Sequence, residues 1–295
     1  MRAFRTYHPL ALLFYYLAVL LFSMFTMHPV LLLASLLGSV LFFCCMYAAR
    51  PSVIGRNLVY YLFLFLLLAA VNPLFSHDGE RILFFLNDNP VTMEAILYGG
   101  AIALLMISVI FWFKCFNEGM TSDKILYLFG KAIPKLSLIL SMALRFVPLF
   151  KRQVEKINQA QKAMGLYTSE SRTDRLCGSF RVFGAVLTWS LENAVDTADS
   201  MKARGYGLKG RTNFAIFQFQ ARDGIFMGIT GALSLVVLAG IYTGAFSYHY
   251  YPALAPVRTG SGQIGYYLAG FALMLMPAII EIKENLQWKW LKSRI

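Results

Sequence analysis

LALLFYYLAVLLFSMFTMHPVLLLASLLGSVLFFCCMYAA occupies residues 10–49 and contains no Asp, Glu, Lys or Arg. As one continuous helix it would be about 60 Å long, twice a hydrocarbon core of about 30 Å. Met27-His28-Pro29 breaks the run near its middle, so the segment reads as two membrane spans joined by a turn. Lipid offers no hydrogen bonds to a peptide group, so a lone segment in it must satisfy its backbone internally, as a helix.

Working outward from this run, the same alternation continues. Arg50-Pro51 and Arg56 mark a cytoplasmic turn, residues 58–75 a third span and residues 95–113 a fourth, ending at Lys114. Between them, residues 76–92 (His77, Asp78, Glu80, Arg81, Asp88, Pro90) carry three acids against one base, as suits the outer side. Residues 224–246 and 264–282 read as two further spans, around a loop with Pro252, Pro256 and the single charge Arg258. The tail (Lys283, Lys289, Lys292, Arg294) is basic. Residues 114–223 differ in kind: 17 Lys/Arg and 9 Asp/Glu give +8 (17 − 9), out of +12 for the 295-residue chain. Their apolar pieces, such as 136–144 and 182–191, are short and charge-interrupted, which suits amphipathic helices on a membrane or against a partner.

The expectation is an all-α, polytopic integral membrane protein with about six transmembrane helices and amphipathic cytoplasmic coupling helices. Its parts are an N-terminal membrane domain (1–113), a cytoplasmic domain (114–223) and C-terminal membrane helices with a basic tail (224–295). Cell-membrane location follows. Parity puts both termini in the cytoplasm, because positive charge concentrates on that side. Composition agrees: 58% of residues are hydrophobic and 14% charged, against about 25% charged in soluble domains. Arg2 and Arg5 precede the first span without a small-residue cleavage site, so it reads as uncleaved.

Several function classes lose their support here. The basic residues lie between spans, so no nucleic acid is needed to explain them. Cys44, Cys45, Cys115 and Cys177 make no CxxC pair and read as small apolar filler. His8, His28, His77 and His249 lie near span ends without metal-ligand spacing, and His8-Pro9 and His28-Pro29 suit helix starts. The spans hold no ionisable group except Glu94 and Glu281 at their ends, which disfavours an intramembrane protease, proton-coupled carrier or ion pump. Gly205-Tyr-Gly-Leu-Lys-Gly210-Arg211-Thr212 nearly matches a phosphate-binding loop, but it follows a helix and has Arg where Lys is required. Gly224, Gly228 and Gly231 form a small-residue stripe that reads first as an intramolecular packing face, with a partner-facing surface as the alternative.

Within the basic block one feature recurs. Phe150, Val154, Ile157, Gln161 and Met164 share a helix face that stops at Gly165, while Leu191, Ala194, Ala198 and Met201 share one that stops at Gly205. Each helix ends Ala-X-Gly, as Ala163-Met164-Gly165 and Ala203-Arg204-Gly205, with the glycines 40 residues apart (205 − 165). A glycine past the last turn is an ordinary helix cap. An exposed Arg on such a tip can also make a forked bond to a carboxylate on a partner.

The run Ala198-Asp199-Ser200-Met201-Lys202-Ala203-Arg204-Gly205-Tyr206-Gly207, with Gly210-Arg211-Thr212 after it, resembles the signature of the transmembrane T component of energy-coupling factor transporters, the CbiQ-like family. Arg145-Phe146-Val147-Pro148 and Gln159-Ala160-Gln161-Lys162-Ala163-Met164-Gly165 are similar to its upstream signature. The resemblance implies a non-catalytic subunit whose two coupling helices dock on a pair of ABC ATPases and whose membrane part holds a substrate-binding S component for vitamin or metal-ion uptake. It places one ATPase contact at Ala203, Arg204 and Gly205 and the other at Ala163, Met164 and Gly165. ATP belongs to the partner ATPases, and no cofactor is bound by this chain. Met164 departs from the family pattern, which usually has Arg there, so one charged contact is replaced by an adaptable apolar side chain. The competing reading, a membrane-embedded enzyme acting on a lipid or isoprenoid substrate, has only the stripe Glu192, Asp196, Asp199. A self-contained permease would need repeated or broken spans, which the sequence lacks.

Overall fold

The computed structural model describes residues 4–48, 50–76, 79–86, 89–165, 172–208, 217–257 and 260–292. Among them the chain is overwhelmingly helical: α1 (Pro9–Phe25), α2 (Pro29–Met46), α3 (Pro51–Phe75), α4 (Met93–Gly119), α5 (Ser122–Ala132), α6 (Pro134–Ala163), α7 (Arg172–Ala203), α8 (Ala221–Tyr242) and α9 (Ser261–Lys292). Proline stands at the start of α1, α2, α3 and α6, where its missing N–H costs nothing and its φ is already helical. His8 caps α1, its Nδ1 accepting from the Leu10 N–H at 3.2 Å, and His28 sits at the N-cap of α2. The His-Pro helix starts read from the sequence are therefore present. His77, Asp78, Asp88, Arg258 and Gly210-Arg211-Thr212 lie outside the described residues.

Five helices (α2, α3, α4, α8, α9) are long and apolar enough to cross a membrane, and α1 is apolar with 17 residues, about 25 Å of helix. The chain is an all-α, multi-pass membrane protein. One departure from the expected outer loop is a short antiparallel hairpin, β1 (Ile82–Leu86) and β2 (Asn89–Thr92), with Phe84 opposite Val91 and an irregularity between Ile82 and Phe84. Two short strands left no helical or long apolar signal to read.

The chain forms two compact units, residues 1–124 with 217–295, and residues 125–216. The domain boundaries expected at 113/114 and 223/224 fall inside α4 and α8, because helical hydrogen bonding continues past the point where the apolar run stops.

In the first unit, α2 packs against both α4 and α9, α3 against α4, and α8 against α9 and α1. Phe4, Tyr7, Tyr15, Tyr16, Phe42 and Phe226 form a mostly edge-to-face aromatic core. Its polar tips are satisfied: Tyr15 donates to the Leu273 carbonyl and Tyr16 to that of Cys115, both at 3.1 Å, and Trp112 Nε1 donates to Ser35 Oγ at 3.0 Å. In α3 only Tyr61 is buried, and exposed Val59, Leu62, Phe63 and Leu66 leave it a lipid-facing surface. Helices approach closely where Gly38 of α2 meets α9: a Cβ there would stand 2.5 Å from the Met274 carbonyl oxygen. The stripe on α8 is not such a place. Gly228 has nothing within 4 Å of an added Cβ, and Gly224 and Gly231 meet only Phe219 and Phe14 side chains. Spacing alone did not reveal which glycines face a neighbouring backbone.

Three buried charged side chains secure the segment before α1. Glu281 accepts from the Phe4 N–H and Asp223 from the His8 N–H, each at 3.0 Å. Lys124 donates to the carbonyls of Arg5 at 2.6 Å and Gly119 at 3.1 Å. Burial, helped by Arg5, pushes the Lys124 amine down to about 8.

In the second unit, α6 and α7 pack together. Phe150, stacked on Phe146, meets Trp189 edge-on at 5.8 Å between ring centroids.

Candidate functional site

Both helix tips lie in the second unit, and both end for the same stereochemical reason. In α6, Met164 is the C-cap, the Gly165 N–H donates to the Lys162 carbonyl at 3.0 Å, and Gly165 has φ +79°. In α7, the Gly205 N–H donates to the Lys202 carbonyl at 2.9 Å with φ +80°. The Tyr206 N–H reaches back to the Met201 carbonyl at 3.0 Å, completing a Schellman cap. Glycine reaches this left-handed conformation without the Cβ penalty of other residues.

The caps bring Met164 and Arg204 to the same position, one residue before the positive-φ glycine. Met164 is 73% exposed, and Ala163, Gly165, Ala203 and Arg204 are exposed as well, with Gly205 half-buried. Lys162 and Lys202 also correspond, two residues before each cap. Lys202 pairs with Asp199 at 3.7 Å, whereas three residues before Lys162 stands the uncharged Gln159. The second tip thus presents Arg204 beside a partly neutralised lysine. The first presents an apolar thioether beside a lysine with no acid one turn behind it. Cationic groups in a last turn also favour the helix dipole, by about 0.3–1 kcal/mol each.

Each tip stands well beyond the Phe150–Trp189 contact. From Phe150 to Ala163 is 13 residues (163 − 150) and from Trp189 to Ala203 is 14 (203 − 189), about 20 Å of helix in both cases.

The CbiQ family model, described as cobalt transport protein, matches residues 5–214. The chain belongs to the CbiQ family. The match contains both tips, and α8 and α9 follow it. Among curated CbiQ-like relatives, the "energy-coupling factor transporter transmembrane protein EcfT" of Listeria innocua is 36% identical over 111 residues, 37% of this chain and 40% of the relative. That of Listeria monocytogenes is 34% identical over 90 residues, 30% and 34% respectively. The EcfT of Thermotoga maritima is 26% identical over 201 residues, 63% of this chain and 72% of the relative. The chain therefore covers 34–40% of the length of the two Listeria relatives.

Other candidate residues in this CbiQ-family chain fall apart in space or in role. Glu192, Asp196 and Asp199 lie on α7 and are exposed, and among the described residues no three His, Cys, Asp or Glu side chains gather as metal ligands. The phosphate-loop look-alike begins at the cap of α7 rather than after a strand. Sequence reading missed the Phe150–Trp189 contact as a paired feature; two aromatics midway along two long helices were its only trace. It also missed Asp223 and Lys124 as anchors, since isolated charges beside apolar runs look like ordinary interface residues.

Proposed function

We infer that this chain is the transmembrane coupling subunit of an energy-coupling factor, ABC-type importer. It catalyses no reaction itself. Two partner ATPases bind and hydrolyse ATP and grip the two tips, Ala163-Met164-Gly165 and Ala203-Arg204-Gly205. Their movement passes along α6 and α7 to a membrane-embedded S component that binds a vitamin or metal ion. The protein resides in the cell membrane with both termini and the tips in the cytoplasm.

The observation carrying this reading is the pair of exposed helix ends with matching glycine caps, 40 residues apart (205 − 165). A rigid capped end transmits displacement; a frayed one would absorb it. The exposed apolar side chains Phe180, Phe183, Leu187 and Leu191 along α7 support a large apolar partner surface. The names of the curated relatives support the transporter assignment. A buried, hydrogen-bonded charge contact typically loses 2–5 kcal/mol when one partner is removed, enough to uncouple subunits.

Arg204→Glu tests the assignment. ATPase recovery with the affinity-purified chain and substrate uptake are measured in the same strain. The expected result is normal membrane insertion with loss of uptake and weakened ATPase recovery. Normal values for both would remove Arg204 from coupling.

A further inference from the structure

A groove of about 580 Å³ runs between α8 and α9. Its walls are apolar, with Phe226, Ile229 and Leu233 on one side and Ala272, Met276 and Ile280 on the other. Its character changes at one end, where Tyr7 and Arg222 complete the lining. The Arg222 guanidinium lies over the Tyr7 ring at 4.4 Å and donates to Thr6 Oγ1 at 3.1 Å. This fixes an exposed cation at the mouth of a hydrocarbon-lined channel.

The dimensions select the occupant. From Arg222 to Leu233 is 11 residues (233 − 222), about 16 Å of helix, and half a hydrocarbon core is about 15 Å. The groove thus reaches from a headgroup to the bilayer midplane. Apart from Tyr7 and Arg222 its lining is hydrocarbon, which suits an acyl chain with a polar headgroup at one end. The charges agree. Asp223 is occupied by the His8 and Gln220 N–H groups, each at 3.0 Å. Glu284, just beyond Ile280, acts on the Tyr7 hydroxyl together with Asp223, and Arg222 opposes both. Arg222 is the charged side chain of the lining itself, with a donor fork matched to phosphate.

We propose that the α8–α9 groove is a binding site for one anionic glycerophospholipid of the adjacent leaflet, its phosphate on Arg222 and an acyl chain along Phe226, Ile229 and Met276. The site is independent of the coupling role of the tips. A bound lipid joins the start of α8 to the segment before α1 through Arg222, Tyr7 and Thr6.

The test is native mass spectrometry of the delipidated full chain with equimolar phosphatidylglycerol and phosphatidylcholine. One surface cation near anionic lipid predicts about fivefold preferential retention of phosphatidylglycerol. Arg222→Gln abolishes the preference, Arg222→Lys retains part of it, and Ala272→Trp lowers retention of both lipids by filling the groove. Equal retention of the two lipids by the unmodified protein would overturn the proposal, as would an unchanged preference in Arg222→Gln. Displacement of the lipid by millimolar inorganic phosphate would overturn the acyl-chain part. The Arg222→Lys variant and the unmodified protein keep the test valid should Arg222→Gln fail to fold. In cell membranes, a photo-crosslinking residue at position 229 is expected to capture lipid; capture of a polypeptide instead would assign the groove to a protein partner and refute the lipid site.

Discussion

Gly205 holds φ at +80°, and a Cβ added there would also come within 3.1 Å of Leu208 Cδ1. Any L-residue at this position therefore takes on left-handed strain of about 1–2 kcal/mol, with a side-chain adjustment besides. An L-residue replacing Gly165, at φ +79°, would meet the same backbone strain. Gly205→Ala is expected to fray the last turn of α7, read as faster amide hydrogen exchange across residues 198–208, while exchange in α8 and α9 stays as it was. Unaltered exchange at the tip would mean that the cap does not hold the helix end. The glycines were legible in the sequence because their chemistry is local: a repeated Ala-X-Gly needs no tertiary context. The equivalence of Met164 and Arg204 was legible for the same reason. Asp223 and Lys124 were not, since their roles depend on backbone groups of residues 5 and 8, more than a hundred positions away.

Among the elements, α6 departs most from its sequence reading. The piece 136–144 and the helix 150–164 are one helix, Pro134–Ala163, that continues through Pro148. Proline removes one hydrogen bond and crowds the preceding turn, which is why it reads as a boundary. Here the helix carries it in the interior, as α3 carries Pro73 and α9 Pro277. Likewise the piece 182–191 and the face of Leu191, Ala194, Ala198 and Met201 belong to the single helix Arg172–Ala203. Length matters to the proposed coupling, because it turns two short tips into the ends of two long helices that touch at Phe150 and Trp189. An edge-to-face aromatic pair contributes about 0.5–1.5 kcal/mol beyond its buried area. Trp189→Ala is therefore expected to loosen the contact while leaving both caps formed. Spin labels at Lys162→Cys and Lys202→Cys, with the native cysteines replaced, should report a broader distance distribution by pulsed electron resonance. An unchanged distribution would place the stiffness of the pair elsewhere along α6 and α7.

For the whole molecule, the proposed orientation rests on charge and parity. The spans were legible as long apolar runs, and the structure places helices at all six. Which end faces the cytoplasm rests on the basic residues of 114–223, the acidic stretch 76–92 and the basic tail. Two side chains make this testable. Cys177 is exposed on α7, and Tyr242, the last residue of α8, is 95% exposed. With Cys44, Cys45 and Cys115 replaced, Cys177 remains as one reporter; Tyr242→Cys in a fully cysteine-free background provides the other. In the proposed topology one membrane crossing, α8, separates them. In intact cells a membrane-impermeant maleimide is expected to label Tyr242→Cys and to reach Cys177 only after permeabilisation. The reverse pattern would invert the molecule and put both tips on the side without ATP, ending the coupling reading. Labelling of both from one side would mean that α8 does not cross, and the six-span architecture would fall with it.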